Sequence, residues 1–297
     1  MVKRFSYILL ISLFIITSFS QQSFAVSTDW TKTDEADFRI IAGNSITNEY
    51  GDKQLKIGIH YKLAKKWHTY WRTPGDGGIA LRMNIDNSDN IDQTTIKWPA
   101  PTRSIAFETI ETNVYSNETV IPILLTLKDP SKPVKLALKL NHALCDEICI
   151  PLENNFELTI DHNKQYNEND SLINKFLAQV SRKNGYKGLN IDEAGIDEKN
   201  SKLIIKISNK DAFISPDIFI EQSSKNYRFP KAEIFYSEDK KKAAFYIPFE
   251  ELIDDNKLVG KDITITLVEN ANGTKKAVEL KTTVTNVIPE VPFKKKS

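Results

Sequence analysis

The chain is poor in the residues that most often carry chemistry. Its 297 residues include two cysteines, two methionines and four histidines. The histidines are His60, His68, His142 and His162, and no two have the i, i+4 spacing of a helical metal site. Beyond Met1 the only methionine is Met83, so there is no methionine-rich copper motif. Neither charge sign is in excess: 40 Lys and Arg face 39 Asp and Glu, a formal net charge of +1. That balance gives no electrostatic case for nucleic acid or an anionic membrane as a partner. The Gly-rich stretch Pro74-Gly75-Asp76-Gly77-Gly78 lacks the Lys-Ser/Thr of a phosphate loop and precedes no helical pattern, so it is read as a turn. No serine sits in a nucleophile elbow, and no pair of carboxylates stands out by spacing. No cofactor is called for.

Long apolar runs are also scarce. The longest, Tyr7 to Ile16, follows the basic Met1-Val2-Lys3-Arg4 and precedes Ser23-Phe24-Ala25. It is shorter than the ~20 residues of a membrane span. The layout is that of an export signal, residues 1–25, cleaved after Ala25, with no nearby cysteine for lipid attachment. The expected product is exported and has no stable membrane insertion. It is long enough for two domains of roughly 100–150 residues each.

Strand periodicity dominates what remains. In residues 26–163, Leu55, Ile57, Ile59, Tyr61 and Leu63 alternate, as do Ile121, Ile123, Leu125 and Leu127, and Val134, Leu136, Leu138 and Leu140. The segment 164–185 breaks this pattern. Asp170 or Ser171 can cap a helix whose stripe is Leu172, Ile173, Phe176, Leu177 and Val180, with Gly185 ending it. Residues 186–290 return to alternation, with Asn272-Gly273 as a hairpin turn. The expectation is an all-β chain: two immunoglobulin-like β-sandwich domains joined by a short amphipathic helix, ending in a disordered tail at 291–297. The dense aromatic stretch Trp67 to Arg72 reads as core aromatics at a strand and its turn.

The two cysteines, Cys145 and Cys149, are four residues apart in Leu144-Cys145-Asp146-Glu147-Ile148-Cys149. In an exported chain such a pair is expected as a disulfide. If the strand of Leu136 and Leu138 runs on without a bulge, Cys145 falls on the face opposite His142 and Leu144. Its sulfur is then expected near the surface. A loop this short removes little chain entropy, roughly 2 kcal/mol against ~4.7 for a very long one, so the bond is a weak staple. Asp146 and Glu147 disfavour a thiolate, and a nearby charged His142 would offset them, so these three are read as tuning residues. Spacing alone leaves a structural bond and a redox-active bond both open. Zinc or copper held by the cysteines with His142 is a third option, set behind pairing of the thiols.

Three segments together resemble a known family. Trp67 to Ile79 is similar to the W-x-T-Y-W-x-x-P-G-D-x-G-I stretch of the N-terminal domain of the thiol:disulfide interchange protein DsbD and its relative ScsB. Trp98-Pro99-Ala100-Pro101 recurs there, and Cys145 to Pro151 resembles the C-x-x-x-C-[IV]-P of the ScsB branch. A weaker likeness continues through Asp217 to Glu221 and Phe229-Pro230. The resemblance implies an immunoglobulin-like periplasmic domain with a redox-active pair, acting as a protein-disulfide reductase component. Cys149 would form the mixed disulfide with a thioredoxin-like partner. Oxidised periplasmic proteins would be the substrates, and a separate membrane protein the electron donor. It also implies a cap loop over the pair, best matched by residues 107–116, with Phe107 and Tyr115 as shielding aromatics. The alternatives are a β-sandwich binding protein with an inert disulfide and a copper-handling protein.

Overall fold

The computed structural model describes residues 26–106, 109–183, 185–197, 202–222, 227–251, 258–286 and 294–295. The expected export signal, Phe107 and most of the expected tail lie outside them.

The first domain is a sandwich of two antiparallel sheets. One has the order β1 (Thr31–Lys32), β2 (Ala36–Thr47), β3 (Lys53–Leu63), β9 (Glu118–Leu127), β6 (Ile91–Ile96). The other runs β11 (Cys149–Ile160), β10 (Val134–Cys145), β4 (His68–Gly75), β8 (Ile110–Ser116), β7 (Thr102–Ala106), with β5 (Arg82–Asn84) also pairing β10. The alternating residues of β3, β9 and β10 meet between the sheets: Leu55, Ile57, Ile59, Ile121, Ile123, Leu136, Leu138 and Leu140 are buried in one cluster with Phe38 and Trp71. A two-residue period on each strand thus becomes the single core that a sandwich requires.

The helix, α1 (Asn167–Leu177), starts earlier than its sequence signal. Asp170 does not cap it. That carboxylate accepts the Asn44 backbone N–H at 2.7 Å and pairs with Lys56 at 2.6 Å. Asn44 in turn accepts the Tyr166 N–H at the helix start. The apolar stripe packs on the outer face of the β2–β3–β9 sheet, where Ile173 and Phe176 join Ile41 and Val120. Gly58 makes room, because a Cβ there would overlap Val120. The helix ends by Ala178, well before Gly185.

The second domain is a smaller sandwich. One sheet is β12 (Arg182–Lys183), β21 (Thr274–Thr283), β20 (Asp262–Ala271), β15 (Pro216–Gln222). The other is β13 (Asn190–Asp197), β14 (Lys202–Ser208), β18 (Lys242–Pro248), β17 (Glu233–Tyr236), β22 (Lys294–Lys295). A two-stranded ribbon pairs β16 (Tyr227–Arg228) with β19 (Glu250–Glu251). Asn272 and Gly273 both have positive φ between β20 and β21, as a tight hairpin demands. Lys294–Lys295, assigned to a disordered tail by the sequence, instead pairs with Phe235 and Tyr236.

The domains share an apolar joint. Phe219, Val268 and Ala277 of the second domain are buried in the same cluster as Trp71, and the Trp71 and Phe219 rings lie 5.8 Å apart. A register shift in the β4–β8 ladder between Tyr70 and Gly75 makes residues 71–74 a bulge in β4. Arg72 thereby reaches Glu221 and Glu279, and Thr73 donates to Glu221 at 2.6 Å. Lys275 closes the other side, donating to the carbonyls of Ala100 and Pro101 and to the Thr102 hydroxyl at 2.8–3.0 Å. Among the described residues no helix is long and apolar enough to cross a membrane.

Candidate functional site

Cys145 ends β10 and Cys149 begins β11, and the two are bonded as a disulfide. The ladder runs without a bulge from Val134↔Ile160 to Cys145↔Cys149, so the cysteines lie directly opposite one another, with Cα atoms 4.2 Å apart. That separation is typical of a facing pair in an antiparallel ladder, where both side chains leave the same side of the sheet. The turn between them is closed by Asp146 N–H donating to the Ile148 carbonyl at 3.1 Å.

The parity deduced from sequence is correct, yet the exposure inferred from it is not. Leu144 and His142 enter the core, and Cys145 leaves on the opposite face with Ala143. That face is covered. Cys145 is only 1% exposed and packs with Tyr70, Val114 and Ala143 in a separate apolar cluster. Cys149 is exposed. The asymmetry follows from sheet order: β10 is an interior strand, flanked by β4, whereas β11 is the edge. Edge position also explains why Pro151 is tolerated two residues after Cys149, since an edge strand can lack a ladder donor.

Two residues not singled out by the sequence reading sit at the bond. The Tyr70 hydroxyl is 3.3 Å from Cys149 Sγ, and because a disulfide sulfur carries no proton the hydroxyl is the donor. Burial raises the Tyr70 pKa and keeps the phenol protonated. His68 pairs with Cys145 across the β4–β10 ladder and stands edge-on to Tyr70 at 5.3 Å. Burial lowers its pKa, although its contact with the Lys66 carbonyl and the charge of Asp146 pull the other way. Its neutral imidazole can accept a proton. The available signal was the aromatic stretch 67–72, read as core. Trp71 does enter the core, while His68 and Tyr70 take the other face of the same strand.

The remaining predicted site residues divide. Asp146 is half-buried and Glu147 exposed, both in the turn between the sulfurs. His142 is not brought to the pair. It is buried on the core face, where its Nδ1 accepts the Tyr61 hydroxyl and its Nε2 donates to Asn154, each at 3.1 Å. Burial lowers its pKa and holds it neutral, so it adds no positive charge near the sulfurs. Tyr115 is also buried in the core, its hydroxyl donating to the Pro99 carbonyl at 2.7 Å. The aromatic over Cys145 is Tyr70, and Gly78 lies against it: a Cβ on Gly78 would overlap the Tyr70 ring, and its φ of +102° is a conformation glycine favours. Residues 75–78 therefore form a cover backing the tyrosine.

A cleft of about 620 Å³ lies beyond that cover, between the domains. It is lined by Asp76, Arg103, Glu111 and Arg228 among others, and the cysteines are not part of it. The bond is thus reached from the edge of the sheet, not through the cleft. Among the described residues no group of three or more His, Cys, Asp or Glu is arranged to hold a metal ion.

Residues 29–161 match the family described as "Thiol:disulfide interchange protein DsbD, N-terminal". Residues 183–287 match one described as "Domain of unknown function (DUF8393)". That first match spans the first sandwich, including both cysteines. Among solved structures the chain is similar to the crystal structure of the N-terminal periplasmic domain of ScsB from Proteus mirabilis, with TM-score 0.67 and 22% identity over 89% of this chain and 100% of that one. At that identity the likeness establishes the all-β fold alone. A comparison with curated proteins gives no match.

Proposed function

We propose that this chain is a periplasmic thiol:disulfide interchange protein that passes electron pairs from a thioredoxin-like dithiol to oxidised periplasmic proteins. The observation that supports this most is the asymmetry of the bond: Cys149 is open at a sheet edge and Cys145 is 1% exposed behind Tyr70. A thiolate of the donor attacks Cys149 Sγ, the Cys145–Cys149 bond breaks, and its electron pair leaves with Cys145. A bare thiolate is disfavoured in the apolar cluster around Cys145, so that sulfur takes up a proton, passed by His68 across the ladder. The donor's second thiolate then attacks its own sulfur in the mixed disulfide and releases Cys149 as a thiolate, which accepts the Tyr70 hydroxyl hydrogen. The donor is left oxidised.

The second half runs in reverse order of roles. The Cys149 thiolate attacks a substrate disulfide and one substrate thiolate leaves. His68 removes the Cys145 proton, and Cys145 attacks Cys149 to restore the bond and free the reduced substrate. Asp146 and Glu147 restrain the pair from reacting with stray disulfides.

The test is a redox titration of the pair against glutathione or dithiothreitol, quenched by alkylation. A potential above about −300 mV is expected. A value well below it marks a bond resistant to periplasmic dithiols and sinks the proposal. Alongside it, Cys145→Ser with Cys149 preloaded as the mixed disulfide of thionitrobenzoate should be attacked by a thioredoxin-like protein lacking its resolving cysteine, which releases thionitrobenzoate and leaves the two proteins joined. Failure of that trap at an exposed Cys149 counts against the relay.

A further inference from the structure

The cleft between the domains and the disulfide share one piece of chain, residues 75–78. At one end of it is Asp76, which Arg228 of the second domain grips with both arms: Nε donates to Oδ1 at 3.0 Å and Nη2 to Oδ2 at 2.9 Å. The same Nη2 donates to the Thr109 carbonyl at 2.8 Å, so the guanidinium also holds the turn that leads into β8. Asp76 is paired with Glu111 through backbone as well, its N–H donating to the Glu111 carbonyl at 2.8 Å and its Oδ2 accepting the Glu111 N–H at 3.0 Å. Glu111 in turn accepts the Lys231 N–H from the second domain at 2.9 Å and pairs with Arg103. Burial works to raise the Asp76 carboxyl, but the hydrogen bond and charge of Arg228, with the Glu111 N–H and the charge of Arg103, outweigh it and hold the pKa below its ordinary value. At the other end of the segment, Gly78 lies on the Tyr70 ring, whose hydroxyl reaches Cys149 Sγ.

We infer that Arg228 is a positioning residue for the disulfide: by clamping Asp76 and the Thr109 carbonyl it holds residues 75–78 against Tyr70, and so sets how readily a thiol reaches the Cys145–Cys149 bond. The inference rests on the thiol-exchange reading of that pair. Gly75, Gly77 and Gly78 give this segment more conformations to lose on ordering than other residues would, so it needs an external anchor. A two-armed guanidinium–carboxylate contact is such an anchor and fixes direction as well as distance. Arg228 is not needed to keep the domains together, because Arg72 with Glu221 and Glu279, Lys275 with three oxygens, and Trp71 against Phe219 do that elsewhere in the joint. The clamp can therefore be released without parting the domains. The second domain then has a place in the chemistry: it controls the cover of the first domain's bond.

The experiment measures the rate of disulfide reduction by dithiothreitol in the full chain at fixed pH, together with the melting temperature of each sample. Arg228→Gln and Asp76→Asn are each expected to raise the rate roughly threefold or more, as local opening of a pinned loop would. The double variant should fall short of the product of the two single effects, because the Asp76–Arg228 contact is lost in both. Arg228→Lys should fall between, since an ammonium cannot span Asp76 and Thr109 with the same geometry. Lys275→Met, which loosens the joint away from the clamp, should react at the unaltered rate. Unchanged rates in Arg228→Gln and Asp76→Asn, additive effects in the double variant, or equal acceleration by Lys275→Met would overturn the inference. If the rates shift as expected but the titrated potential lies well below about −300 mV, the clamp stands and the exchange reading falls. Resistance in every variant removes both.

Discussion

Reducing the Cys145–Cys149 bond, or replacing both cysteines with alanine, separates a staple from a working disulfide. The two residues face each other at the end of a ladder that runs unbroken from Val134↔Ile160, so the bond closes a turn the hairpin already makes. For a sequence separation of four, the chain-entropy model gives a stabilisation of about 2 kcal/mol at 25 °C. For a domain of this size each kcal/mol moves the midpoint by roughly 3–5 °C, so reduction should lower the melting temperature by about 5–10 °C and leave the fold cooperative. Calorimetry on the oxidised, reduced and Cys145→Ala/Cys149→Ala forms reads this directly. The reduced Cys145 thiol stays neutral in its apolar cluster, so no buried charge adds to the loss. A thermodynamic cycle ties the same energy to chemistry. A bond about 2 kcal/mol more favourable in the folded than in the unfolded chain has a potential about 40 mV lower in the folded one. Glutathione titrations of the native protein and of the protein in denaturant should differ by that amount. A stability loss above about 5 kcal/mol, with a correspondingly larger gap in potential, would show that the native state depends on the bond, and the exchange reading would be refuted.

Three further outcomes are expected. Tyr70→Phe removes the donor 3.3 Å from Cys149 Sγ; a hydrogen bond to a charged group contributes about 1.5–3 kcal/mol, so the Cys149 thiol pKa should rise by roughly one unit or more. Iodoacetamide labelling of the reduced protein near pH 7 should slow by roughly tenfold with little change in melting temperature, and an unchanged rate would remove Tyr70 from the site. Burial lowers the pKa values of His60, His68 and His142 in the folded chain. Below the unfolded value of about 6.5 the unfolded chain therefore binds more protons, so stability present at neutral pH should fall as the pH drops from about 7 towards 5. Melting curves across that range check the sign, and His142→Gln should flatten the slope. Phe219→Ala should cost about 3–5 kcal/mol, because this buried ring fills the joint against Trp71, and it should split one melting transition into two; a single unshifted transition would show that the domains do not stabilise each other.

Where the sequence reading succeeded and where it failed has a physical pattern. Strands were legible because large apolar residues recur at every second position along β3, β9, β10 and β20, and the Asn272-Gly273 turn because its conformation restricts which residues fit. The helix start was misplaced because Asp170, a good cap by type, is used by Asn44 and Lys56 from distant sequence. Residues 71–74 offered no sign of their bulge, because the partners of Arg72, Glu221 and Glu279, lie in the other domain. The structure places His142 away from the sulfurs for a reason parity itself supplied: a residue three before Cys145 in a strand points to the other face, and that face is the core.

The exposure of the cysteines is the more instructive case. Parity tells which face a side chain leaves by, not whether anything lies over that face. By sequence the two cysteines are near equivalents, each beside an aliphatic residue at one end of the same short turn. What distinguishes them is that β10 has a neighbour on each side and β11 has one. The neighbour, β4, brings Tyr70 over Cys145 and leaves Cys149 at the open edge. Under the exchange reading this fixes the direction of attack. A thiol arriving at the edge meets Cys149, and Cys145 must leave into an apolar enclosure that disfavours its charge. The features that make Cys149 reachable and Cys145 a reluctant leaving group thus act in opposition, and the bond resists stray thiols while remaining open to contact. A partner that shifts Tyr70 or the 75–78 cover on docking relieves the second constraint without altering the first. The rate is then governed by contacts made to the cover, and the closest control over that cover is exerted from the second domain, through Arg228.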